Sequence, residues 1–181
     1  LGTEPAGIAV AREAHAQAAV LPATEREAMH VQAIGHLAHG RWHAAGRVLE
    51  DISVHHPHDL LALQAGHQID FFTGASRMLR DRIARAESSW HDGMPGHHAV
   101  LSMLAFGLEE TGDYGRAEIY GRRGVEQEPY DGWGWHAVAH VMEMQHRRRD
   151  GVAWLTSQTP AWSEGSFLAV HEGPQRIAKP R

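Results

Sequence analysis

The stretch HAVAHVMEM, residues 136 to 144, sets two histidines four residues apart and a glutamate three further on. On a helix, positions i, i+4 and i+7 share one face, so His136, His140 and Glu143 point the same way. Two such histidines with a carboxylate suit a divalent metal, and the same groups suit general acid and base work. Ala137, Val138 and Ala139 lie inside the pair, so the HExxH signature of zinc proteases is absent. A plainer alternative stands beside these: a polar, solvated helix face, or histidines that bond neighbouring helices. HHPH at 55 to 58 reads as a solvated turn. The run Arg147, Arg148, Arg149 reads as a helix C-terminus, where cations meet the negative end of the dipole. Trp133, Trp135, Trp154 and Trp162 read as packing residues.

The elements that position these groups follow from an internal repeat. AIGHLAHGRWHAAGRVLEDISVHHP, ending at Pro57, aligns with AFGLEETGDYGRAEIYGRRGVEQEP, ending at Pro129. Ala33 meets Ala105, Gly40 meets Gly112, Ala45 meets Ala117 and Trp42 meets Tyr114, whereas Leu49 meets Gly121. The alanines let two helices approach, the glycines end the first helix where a positive φ is useful, and the proline stops the second. This resembles the tetratricopeptide pattern of paired helices A and B, about 34 residues long. In the same frame, helices are expected over 60–73 and 76–90, and over 132–146 and 149–158. A further helix at 5–20 precedes them, and Thr24 is the expected N-cap of the next. The expected fold is an all-α, right-handed α-solenoid of about four helix pairs in one domain spanning 1–181. The repeats fall near 24–57, 60–95, 98–129 and 132–163.

Helix A of such a repeat presents its second, fifth, ninth and twelfth places to a concave groove. Counting from the prolines puts His30, Gln64, Gln68, Ser102, Phe106, Glu109, His136, His140 and Glu143 there, with His171 near the fifth place of a further helix. The candidate metal ligands are His136, His140 and Glu143, with a divalent metal as the candidate cofactor.

Composition narrows the function classes. With no cysteine, disulfides and thiolate chemistry are excluded. The formal net charge is −5 and the arginines are scattered, which argues against a nucleic-acid footprint. No apolar run reaches the length of a membrane span, and the N-terminus lacks a signal-peptide pattern, so a cytoplasmic location is expected.

PHDLLAL, AFGLEETGDYGRAE, HAVAHVMEM and GVAWL together resemble the tetratricopeptide repeat protein 38 family, also called StaR-like, from about Thr24 to His171. The resemblance implies a soluble α-helical repeat protein and brings no established reaction. This chain departs from the family pattern at Leu104, where a histidine is common, and at Pro174 and Gln175, which replace the rest of a second HxxxH helix. It therefore keeps His136, His140, Glu143 and His171 of the family's histidine and carboxylate set without two of its partners. The family continues through more helices, so the chain is expected to be a portion of a longer protein or a truncated form.

Three functions remain open on these residues. The first is a binding or scaffold module that takes a protein or peptide, or a small molecule, in its groove. The second is a metal-dependent or acid/base enzyme using His136, His140 and Glu143, with His30, Glu109 and His171 beside them. The third is homo-oligomerisation through the solenoid ends.

Overall fold

The computed structural model describes residues 5–157. They form helices α1 (Pro5–Ala18), α2 (Glu25–Ala38), α3 (Trp42–His55), α4 (Leu60–Phe72), α5 (Ser76–Glu87), α6 (His97–Glu109), α7 (Tyr114–Gln127), α8 (Gly132–Met144) and α9 (Arg148–Ser157). No strand occurs among the described residues, and no described helix is long and apolar enough to cross a membrane. Two compact units divide the chain, Leu1–Ser89 and Trp90–Arg181. The first holds α1 to α5 and the second α6 to α9. His171 and Trp162 lie outside the described residues.

The first residues of α6, α7, α8 and α9 each fall 72 positions after those of α2, α3, α4 and α5. The second unit thus repeats the four-helix plan of the first. Each A helix ends on the same turn. Gly40, Gly74, Gly112 and His146 take positive φ values of 70°, 69°, 84° and 60°. In each case the next residue's N–H reaches a carbonyl five residues back: Arg41 to His36, Ala75 to Asp70, Asp113 to Leu108 and Arg147 to Met142. This bond satisfies a carbonyl that the helix end leaves unpaired. Glycine suits the turn because it has no Cβ to clash there, so His146 carries a strain its three counterparts avoid.

Local signals place the starts. Thr24 caps α2 in a reciprocal capping box with Glu27. Asp59, Asp113 and Asp131 cap α4, α7 and α8 through side-chain oxygens. The alanines expected at the helix contacts are buried: Ala33, Ala45, Ala105 and Ala117. The mismatch of Leu49 with Gly121 has a packing cause. A Cβ on Gly121 would lie 2.6 Å from Val138 Cγ2, so α7 approaches α8 too closely for any side chain there.

The first unit has a charged interior. Arg82 of α5 is almost fully buried and donates to Asp70 Oδ2 at 2.8 Å, to Asp70 Oδ1 at 3.2 Å and to the Gly46 carbonyl at 3.2 Å. Its Nη1 lies 2.9 Å from Glu50, which also pairs with Arg85. Gly66 leaves room for this guanidinium, since a Cβ there would sit 2.7 Å from Arg82 Cζ. Nearby, burial lowers the pKa of His67 to about 3, so its ring is neutral in the fold.

Candidate functional site

The carboxylate caps of α4 and α8 draw two of the expected groove residues, His30 and Ser102, into junctions. His30 Nε2 lies 2.9 Å from Asp59 Oδ2, and Arg26 lies 3.6 Å from the same oxygen. At the equivalent place in the second unit, Ser102 donates to Asp131 Oδ2 at 2.8 Å and His98 Nδ1 lies 3.0 Å from it. Asp131 Oδ1 meanwhile accepts the N–H of Trp133 and of Gly134. Each aspartate therefore ties the start of one helix A to the helix A before it. Burial pushes Asp59 up, but hydrogen bonds from His30 and the Ala62 N–H outweigh it and hold the carboxyl below its usual range. The hydrogen bond to Asp131 raises His98 above the ordinary histidine value. His30 and Ser102 are thus engaged at repeat junctions. The spacing that could have shown this is present in the sequence: both aspartates follow the repeat-closing proline by two residues and lie 29 after the fifth place.

Gln64 and Gln68 are exposed on α4. At the matching places of α8, His136 is buried and His140 is partly exposed. Their rings lie 4.2 Å apart. His136 stacks on Trp133 at 5.3 Å and 23°. Phe106 of α6, buried to 1%, touches the same group: 4.7 Å from Trp133, 5.7 Å from His136 and 6.3 Å from His140. The histidines are therefore one end of a stack of rings. Glu143 is exposed. Among the described residues no three His, Asp or Glu side chains are grouped to hold a metal ion. The stacking draws His136 into the ring cluster and leaves Glu143 outside it.

Glu109 closes the stack at the last turn of α6. It is 6% exposed, and its Oε2 is buried without a hydrogen bond, 3.9 Å from His140 Nδ1. Burial first, then the charges of Glu110 and Glu143, raise its pKa to about 7. The equivalent residue of the first unit, 72 positions earlier, is the buried Leu37. A carboxylate thus stands where the repeat is otherwise built with leucine. The aligned repeats carry this swap openly, and it is the sequence signal that separates Glu109 from its exposed neighbour Glu110.

No family model matches the chain. Solved structures of MamA do. MamA MSR-1 superposes with a TM-score of 0.61 at 14% identity over 89% of this chain and 95% of its own. MamA AMB-1 gives 0.62 at 15% identity over 89% and 97%. The fold is that of a tetratricopeptide-type helical repeat protein. At this level of identity the likeness concerns the fold alone.

Proposed function

We propose that the chain is a protein-interaction module, and that the A-helix side of its second unit receives a partner segment bearing a lysine or arginine. The tetratricopeptide-type fold supports an interaction scaffold in general terms. The observation that carries the finer reading is Glu109, a buried carboxylate with one oxygen lacking a donor and two further carboxylates in its field. Such a group gains most from a cation. A partner ammonium or guanidinium would supply the missing donor, offset the repulsion of Glu110 and Glu143, and draw the pKa of Glu109 back down. His140 and the edge of the ring stack would flank the incoming chain.

The sign of the pH effect follows. Glu109 holds its proton more tightly in the fold than in the unfolded chain, so it lowers stability as pH rises from about 4.5 to about 7. Glu109→Gln removes that loss. The variant is expected to match the parent near pH 4 and to exceed it by about 2–3 kcal/mol at pH 8 in urea unfolding. For binding, a labelled lysine-rich peptide is titrated into both proteins at pH 7.5. The parent binds at least tenfold more tightly, an effect of about 1.4 kcal/mol. Equal affinity for Glu109→Gln would sink the assignment.

A carboxyl with a pKa of about 7 beside a histidine favours a second reading, in which Glu109 and His140 pass a proton to or from a bound small molecule. The two readings separate by ligand size. A fragment screen read by NMR gives small-molecule hits that shift α6 and α8 resonances if the second holds, and none if the first does.

A further inference from the structure

A cavity of about 600 Å³ lies in the first unit, where the turn between α2 and α3 meets the end of α4. Arg41, Trp42, Arg47 and Phe72 form its walls. Phe72 is 51% exposed and meets Trp42 edge-on at 6.2 Å. Arg41 donates to His36 Nδ1 at 3.1 Å. Among the described residues neither Arg41 nor Arg47 has a carboxylate partner, in contrast to Arg82 and Arg85 in the same unit. The local field is positive: after burial, Arg41, Arg47 and His39 all push the pKa of His36 down.

The repeat does not require these cations. At the equivalent positions the second unit has Asp113 and Ile119. Asp113 caps α7 with its side chain, whereas α3 has no side-chain cap at Arg41. A good cap contributes about 1 kcal/mol, so the first unit forgoes stability to carry a cation there. Six residues at 1.5 Å rise separate the two arginines by about 9 Å along α3. That is near the separation of two acidic side chains on one face of an extended peptide, about 7 Å apart.

We propose that this cavity docks an acidic peptide segment of a partner protein, with two carboxylates on Arg41 and Arg47 and an aromatic or large apolar side chain against Phe72 and Trp42. Guanidinium–carboxylate pairs supply the orientation, because the planar fork fits a carboxylate at two points. The apolar contact supplies the buried area. The site is separate from Glu109 and stands or falls independently of it.

The test uses the full chain and three labelled decapeptides. One carries two glutamates two residues apart followed by phenylalanine. A second replaces the glutamates by lysines. A third replaces the phenylalanine by serine. The first is expected to bind at least tenfold more tightly than either of the others, with an affinity that falls as salt is raised. Arg41→Asp/Arg47→Ile imports the residues of the second unit and is expected to keep the helical circular dichroism while losing at least tenfold in affinity. Phe72→Ser gives a second variant with a smaller loss. Equal binding of glutamate and lysine peptides, or undiminished binding by the double variant, would overturn the proposal. Displacement of the acidic peptide by a few millimolar inorganic phosphate would also overturn it, in favour of a simple anion site.

Discussion

At matching places in their helix pairs, the first unit buries Arg82 against Asp70 and Glu50, while the second has Trp154, Met142 and Arg122. In the second unit Trp154 packs 4.1 Å from Trp135, and the Arg122 guanidinium lies 4.7 Å over the Trp154 ring. The cation has moved from the interior of one interface to the rim of the other. Volume is exchanged in the same way. The first unit has Leu49 and Gly66 where the second has Gly121 and Val138. In the second unit the glycine on helix B makes room for Val138 of the next helix A, and in the first the glycine on helix A makes room for the Arg82 side chain. The backbone plan is therefore indifferent to which partner is large and which group is charged, provided the sum fills the space. Glu109 breaks this rule. A carboxyl replaces a leucine there, and the nearest cationic group given for it is the His140 ring at 3.9 Å, beyond hydrogen-bond distance.

The comparison is broken most easily at Arg82. Arg82→Met leaves the buried Asp70 without its cation and Glu50 with Arg85 alone, and about 3–5 kcal/mol of stability is expected to go. Urea unfolding measures it; a loss below about 1 kcal/mol would show that the charged interface is no more demanding than the aromatic one. Next comes the volume exchange. Gly121→Leu is expected to cost about 1–3 kcal/mol by driving into Val138. Adding Val138→Gly is expected to restore more than half of that, and independent, additive losses in the double variant would refute the exchange. The smallest effect lies at the turn. His146→Gly is expected to raise stability by about 0.5–1 kcal/mol, because only this A-helix turn holds a side chain at positive φ. No gain in the thermal midpoint would place the strain elsewhere.

Helix limits were legible in the sequence where one residue acts on its own backbone. Gly40, Gly74 and Gly112 marked the turns, and Thr24 marked the start of α2. His146 did the same job with no such mark, since histidine rarely signals a left-handed turn. What the sequence hid were the long-range partners. Nothing in SRMLRDRIARAE says that Arg82 turns inward while Arg85 stays out, because helix periodicity does not rank four arginines on a charged face. The ring stack was hidden for a related reason. The spacing of His136 and His140 showed a shared face but not that Phe106 and Trp133 cover it. His30 counts to the fifth place of its repeat, a place expected to face a groove, and its ring instead meets the aspartate cap of α4.

The two aspartate caps have a consequence for synthesis. A growing chain makes Arg26 and His30 long before Asp59, and His98 and Ser102 long before Asp131. In synthesis from the N-terminus the polar groups of one helix A are made before the capped helix A, two helices later, that binds them. Growth from the N-terminus adds helices to a surface already prepared to receive them.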